Sequence, residues 1–240
     1  MHLNDNLVVL PLVVGRNGQT AVFNLSLITD AAHGPTLVDT GVSGQASAIT
    51  ALLAELGVEP RDLRRIILTH QDHDHIGSLA ELTRLSGAEI LAGADEADAI
   101  HGTVLPRFAL PETLAQRPDM REIAAQYRPT PVDVRLADGQ RLDLAGGVQV
   151  IFTPGHTPGH VALFLERSRT LIAGDALRAD NGQLLGPNPA FTPDAVRAAE
   201  SVRKLAALDV AAIVCYHGGV VNQDANSQLR RVAAELSTAS

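Results

Sequence analysis

Residues 70 to 75 read His70-Gln71-Asp72-His73-Asp74-His75, five side chains able to ligate a metal within six positions. They follow directly on Arg65–Thr69, an apolar run that reads as a short buried strand. A lone histidine or aspartate at a strand end is ordinarily a turn or capping residue. Five together, at a point where one loop can aim them at a common centre, predict a metal site. Three more constellations follow the same rule. Thr153-Pro154-Gly155-His156-Thr157-Pro158-Gly159-His160 comes after the strand predicted at Val148–Phe152, and its two Pro-Gly pairs predict a tight loop around two histidines. Ala173-Gly174-Asp175 and Cys215-Tyr216-His217-Gly218-Gly219 end two further apolar runs. Imidazole and carboxylate ligands suit Zn²⁺, Fe²⁺ or Mn²⁺. Seven candidate ligands exceed one tetrahedral site and suit two ions sharing a carboxylate, an arrangement that can hold a bridging hydroxide as nucleophile.

The order of these residues resembles the metallo-β-lactamase superfamily: Asp39, then T-H-x-x-x-D-H-x-G from Thr69 to Gly77, then G-H-T-P-G-H, then Gly174-Asp175, then a late His217. The match runs from residue 39 to 217. The resemblance implies an αββα sandwich of two mixed β-sheets flanked by helices, with a dinuclear site at one edge and hydrolysis as the activity. Carried over by position, His70, Asp72 and His156 would hold the first metal, Asp74, His75 and His217 the second, and Asp175 would bridge them. Asp74 would also accept the nucleophile's proton as the catalytic acid–base group. Asp39 would orient ligands from behind. The ions implied are two divalent metals, zinc first, with manganese or iron as alternatives.

One departure stands out. The usual motif is H-x-H-x-D-H, and ungapped alignment puts Asp72 where the second histidine belongs. His73 falls in the variable slot. With Asp72, three carboxylates and a hydroxide exactly offset two divalent ions, and an oxygen donor makes the first site harder, more welcoming to Mn²⁺ or Fe²⁺. His160 is expected to support the site, and His2, His33 and His101 to lie on the surface.

The elements that must position these groups are legible in part. Leu7–Val14, Thr20–Ile28 and Pro35–Asp39 read as strands, the first two separated by a turn at residues 15–18. Helices are predicted over Gln45–Leu56, ended by Gly57, and over Ile76–Ser86, ended by Gly87. Glu89–Ala92 is another strand. Residues 93–131, with Pro106, Pro111, Pro118 and Pro129, read as an irregular insert or lid with one helix near Asp119–Gln126. Strands follow at Val132–Leu136, Arg141–Leu144, Val148–Phe152, Val161–Leu165, Thr170–Ala173 and Ala211–Cys215. Thr192-Pro193-Asp194 reads as a helix start, with Thr192 as N-cap and Asp194 in the first turn, and Gln223–Leu236 as a last helix. The expectation is one domain over residues 1–240.

Composition narrows the partners. The chain of 240 residues has 45% hydrophobic and 19% charged residues, enough to bury a core. Its net charge is −8 and Lys204 is its one lysine, which disfavours nucleic-acid and membrane partners. The single Cys215 excludes an internal disulfide, and 3% aromatics with no Trp argue against a stacking platform. Residues 1–6 lack a basic region and Leu7–Val14 is too short to span a bilayer, so a cytoplasmic protein is expected. A homodimer is left open. Within the superfamily, the glutathione-thioester branch is set aside because only 23 residues follow His217, the nucleases for want of basic exosites, and secreted β-lactamases for want of a leader. The expected substrate is a small ester, lactone or thioester, with residues 93–131 as a roof over a partly hydrophobic acyl group. Alternatives are β-lactam hydrolysis and a mononuclear iron oxygenase of the persulfide dioxygenase type.

Overall fold

The computed structural model describes residues 1–16 and 18–238, so Asn17 of the predicted 15–18 turn lies outside the described residues. The chain divides into two units, Leu27–Leu136 and Met1–Ser26 with Ala137–Ser240. The fold class is mixed sheets flanked by helices.

In the 27–136 unit, Thr36–Val38, Arg65–Leu68, Glu89–Gly93 and Val134–Leu136 lie side by side in that order, all parallel. Leu37, Ile66, Ile67, Leu68 and Ile90 are fully or nearly fully buried. That explains why these strands read as continuous apolar runs: parallel strands are covered on both faces. The register pairs Val38 with Ile67, which sets Asp39 beside the residues that lead into Thr69 and His70. The metal-capable motif thus leaves the carboxyl end of a parallel strand, where open α/β sheets place their sites.

The motif continues into a single helical turn, His73–Ile76, and then the helix Leu79–Ser86. The predicted helix from Ile76 is interrupted at Gly77 and Ser78. Gly77 donates its N–H to the Gly41 carbonyl at 2.9 Å. A Cβ there would sit 2.3 Å from the Ser43 nitrogen and 2.4 Å from the Val42 carbonyl carbon, both backbone atoms.

Residues 93–131 are largely helical, which corrects the expectation of an irregular insert. Ala94–His101, Pro111–Gln116 and Arg121–Gln126 are α-helices, joined by short 3₁₀ turns at Arg107–Ala109 and Pro118–Met120. Two of the four prolines start such segments: Pro111 and Pro118 occupy first-turn positions, where the missing N–H has no partner to lose.

The other unit holds a six-stranded mixed sheet in the order Gly219–Val221, Ala212–Cys215, Thr170–Ile172, Val161–Leu165, Val148–Phe152, Arg141–Leu142. Only the pair Thr170–Ile172 and Ala212–Cys215 is parallel. Ile151, Ala162, Leu171 and Ile213 from this sheet pack in one core with Val202, Leu205, Leu229 and Val232 of the helices Ala195–Leu205 and Ala225–Thr238. The first of these helices is capped by Asp194, whose Oδ1 accepts from the Arg197 N–H at 3.0 Å, rather than by Thr192 as expected. Among the strands, the sequence reading misses His2–Asn4, antiparallel to Leu7–Arg16, the edge strand Gly219–Val221, and the hairpin Arg178–Asp180 with Gln183–Leu185.

Gly77→Ala should destabilise the protein by about 3 kcal/mol, because backbone cannot yield to the added methyl. Chemical denaturation of wild type and variant, compared at equal slope, checks it.

Candidate metal centre

Asp39 organises the ligands of the 27–136 unit. It is 2% exposed and its backbone is left-handed, with φ 64°. Its Oδ1 accepts from the Thr69 N–H at 2.9 Å, and its Oδ2 lies 2.9 Å from Nδ1 of the fully buried His75. The Thr69 hydroxyl has one proton and gives it to Asp39, at 2.9 Å from Oδ2. Thr69 Oγ1 therefore accepts from His70 Nδ1, 3.0 Å away. Both imidazoles thus carry a proton on Nδ1 and turn Nε2 outward, the orientation that a metal ligand needs. The rings of His70 and His75 lie with centroids 3.9 Å apart, tilted by 49° to one another.

Asp72 stands at the N-cap position of the turn His73–Ile76 but makes no side-chain cap bond. Its Oδ2 lies 3.4 Å from His70 Nε2. Arg107 donates Nε–H to Asp72 Oδ1 at 2.6 Å and also pairs through Nη2 with Oδ2. Asp74 is half-buried within the same turn, and His73 packs edge-on against Phe108, with centroids 5.8 Å apart.

In the other unit, residues 153–160 join the antiparallel strands Val148–Phe152 and Val161–Leu165. Thr153 N–H donates to the His160 carbonyl at 2.8 Å, closing the loop. Gly155 has φ +135°, and a Cβ on it would lie 2.4 Å from the Ala198 nitrogen, so only glycine lets the helix Ala195–Leu205 approach. His160 Nε2 accepts the Asp175 N–H at 2.9 Å, which leaves its proton on Nδ1, 2.7 Å from Thr153 Oγ1. With both ring nitrogens so engaged, His160 braces Asp175. Asp175 Oδ2 in turn lies 3.5 Å from His156 Nε2 and 3.3 Å from His217 Nε2. His217 is held by its main chain: the Ala179 N–H donates to its carbonyl at 3.0 Å, while Phe23 pairs with it across a β-bridge. Tyr216 is buried.

These spacings test whether the residues suit an ion. Ligand bonds of about 2.0–2.2 Å around a tetrahedral ion put neighbouring ligand atoms about 3.3–3.6 Å apart. The three imidazole–carboxylate pairs, at 3.4, 3.5 and 3.3 Å, have that spacing and are longer than good hydrogen bonds. The donor set fits divalent ions.

Comparison with known proteins follows from this geometry. The family profile described as the metallo-beta-lactamase superfamily matches residues 24–217. The chain belongs to that superfamily. The probable metallo-hydrolase YflN of Bacillus subtilis is 32% identical over 235 residues, covering 86% of this chain and 84% of the relative. A hydroxyacylglutathione hydrolase of Cereibacter sphaeroides is 29% identical; the match covers 79% of this chain but 59% of that relative's length. The hydroxyacylglutathione hydrolase GloC of Haemophilus influenzae is 30% identical, over 64% of this chain and 66% of the relative. Relatives bearing the name of the branch set aside above thus return it to consideration. Among solved structures, the metallo-beta-lactamase family protein TTHA1429 from Thermus thermophilus aligns with a TM-score of 0.74 at 29% identity, covering 99% of this chain and 80% of that one. Among the described residues, no helix is long and apolar enough to cross a membrane.

The structure adds residues that the sequence reading missed. Glu96 is fully buried, and its Oε2 accepts the Gln71 N–H at 2.9 Å. Gln71 Oε1 accepts the Arg107 N–H at 2.8 Å. In sequence, Glu96 is indistinguishable from its exposed neighbours Asp95 and Asp98, and Arg107 lies in a stretch with no motif.

Burial, with the nearby Asp175 charge, pushes the Cys215 thiol well above its ordinary range. A thiol so disfavoured as thiolate is a poor nucleophile, so Cys215 should resist iodoacetamide at pH 8 in the folded protein and react on unfolding. Mass spectrometry of native and denatured samples reads this directly. Separately, Asp39→Ala should weaken metal affinity about 10–100-fold, because it removes the acceptor that fixes His75 and Thr69. Chelator competition with the metal-free protein measures that loss.

Proposed function

We propose that this protein is a dinuclear metal-dependent hydrolase of small-molecule acyl substrates, a thioester, ester or lactone. The observation that carries the reading is the placement of Asp175 Oδ2 at ligand-to-ligand distance from both His156 Nε2 and His217 Nε2, as a carboxylate shared by two ions would be. Under this reading His70, Asp72 and His156 hold one divalent ion, and Asp74, His75 and His217 the other. Zinc is the first candidate, with manganese or iron the alternatives favoured by the oxygen donor of Asp72. Such ions activate water near neutral pH and polarise the scissile carbonyl.

The chain's own residues supply the rest. Asp74 takes the proton released as water attacks and returns it to the leaving alkoxide or thiolate. Asp39 and Thr69 orient His70 and His75 and hold a proton on each Nδ1. His160 holds the backbone beside Asp175. No serine or cysteine nucleophile is required, and the protonated, buried Cys215 has no part in the reaction. Thioesters lead the list because the hydroxyacylglutathione hydrolases are among the relatives. The reading includes a cytoplasmic setting and no nucleic-acid or membrane partner, in keeping with the charge of −8.

Protein purified without added metal, stripped with a chelator and reloaded with Zn²⁺ or Mn²⁺, should take up two ions per chain and regain hydrolysis of one member of a thioester, lactone, ester and β-lactam panel. His217→Ala should retain one ion and lose most turnover. Uptake of a single ion at saturation, or hydrolysis that survives complete metal removal, refutes the reading.

A further inference from the structure

Asp72 is the one departure from the superfamily's usual ligand pattern, and the structure gives it a partner. Arg107 grips the carboxylate with two prongs, Nε to Oδ1 at 2.6 Å and Nη2 to Oδ2. Oδ2 is also the oxygen that lies 3.4 Å from His70 Nε2. An aspartate at an N-cap position normally turns its side chain back to its own helix. Asp72 makes no such bond. Arg107 itself is anchored on both sides: its N–H donates to Gln71 Oε1 at 2.8 Å, and its carbonyl accepts from Thr113 Oγ1 at 2.7 Å. Gln71 is fixed in turn by the buried Glu96.

We infer that Arg107 is a positioning residue that acts with Asp72 as one unit, standing in for the neutral histidine of the usual motif. The inference rests on the metal-site reading above. Two physical requirements meet in this pair. The first is geometric: a carboxylate on a short side chain rotates freely, and a planar guanidinium fork locks both of its oxygens, which a lysine ammonium cannot do. The second is electrostatic. Aspartate in place of histidine removes one unit of positive charge from the cluster, and the guanidinium returns it. The pair therefore presents an oxygen donor at the net charge of an imidazole. It also explains why the segment Arg107–Ala109, far from the motif in sequence, is tied to residues 71 and 72.

The test is a double-mutant cycle read by zinc affinity, with metal-free wild type, Asp72→His, Arg107→Met and the double variant titrated against a chromophoric chelator. Arg107→Met should bind zinc about tenfold more weakly than wild type, through loss of orientation. Asp72→His should also weaken binding, because it leaves the Arg107 cation beside a neutral imidazole and an ion. The double variant should recover about tenfold or more over Asp72→His, since removing the stranded charge relieves the repulsion. Equal affinity of Asp72→His and the double variant overturns the inference. So does wild-type affinity in Arg107→Met with only a lowered Tm, which would make Arg107 a latch for its own segment. Thermal unfolding of each metal-free protein checks folding. If Asp72→His does not fold, Arg107→Lys replaces it: the charge stays and the fork is lost, so zinc binding should weaken, and unchanged affinity overturns the positioning role. A wild type that binds neither Zn²⁺ nor Mn²⁺ refutes the metal-site reading and this inference with it; a wild type that binds two ions with an additive cycle refutes this inference alone.

Discussion

One buried carboxylate governs the orientation of His70 and His75. Asp39 sits at the end of the strand Thr36–Val38, in register with the strand that delivers Thr69, and it accepts from the Thr69 amide and hydroxyl and faces His75 Nδ1. The direction of each proton follows from that anion. Thr69 must donate to it, so Thr69 must accept from His70, and two imidazoles end up in one tautomer through a single acceptor. A buried carboxylate without these donors would be costly to hold charged. The parallel register meets that requirement, because it aligns the Thr69 amide with Asp39. The ligands are therefore as well ordered as the sheet that carries them.

His160 performs the matching task in the unit that carries Asp175. It accepts from the Asp175 amide and faces Thr153, so its ring spans the ends of two strand-end segments. Both halves use the same device. A threonine hydroxyl at the exit of a strand, Thr69 or Thr153, meets the Nδ1 of a following histidine. In one case the outward nitrogen faces the Asp72 carboxylate; in the other it accepts the Asp175 amide.

Legibility in the sequence followed the strength of local signals. Arg65–Leu68 and Glu89–Gly93 were plain because strands buried on both faces are apolar throughout. The motif at 70–75 was plain because five ligand types in six positions have no common structural cause. Residues 94–126 are ambiguous in sequence because proline marks both irregular chain and the first turn of a helical segment, as at Pro111 and Pro118. The hairpin 178–185 was missed although Asn181-Gly182 carries the turn signal, both residues having positive φ, because its three-residue arms are too short to show alternation. Glu96 and Arg107 were beyond reach: their roles arise from burial and from a partner 25 and 35 residues away, which no local pattern encodes.

The division of the chain has a consequence for biogenesis. The 27–136 unit is one uninterrupted segment, so its ligands and the Asp39 network are complete once that segment has been synthesised. The other unit is not. Asn4 reaches its partner Thr170 across 166 residues, and Asn24 its partner Tyr216 across 192. Phe23, which pairs with His217, waits equally long. On the ribosome Asn4, Phe23 and Asn24 therefore emerge long before the residues that they meet. The pairing of Phe23 and Asn24 with residues 216 and 217 thus ties the placement of His217 to the joining of the chain's early and late segments in this unit.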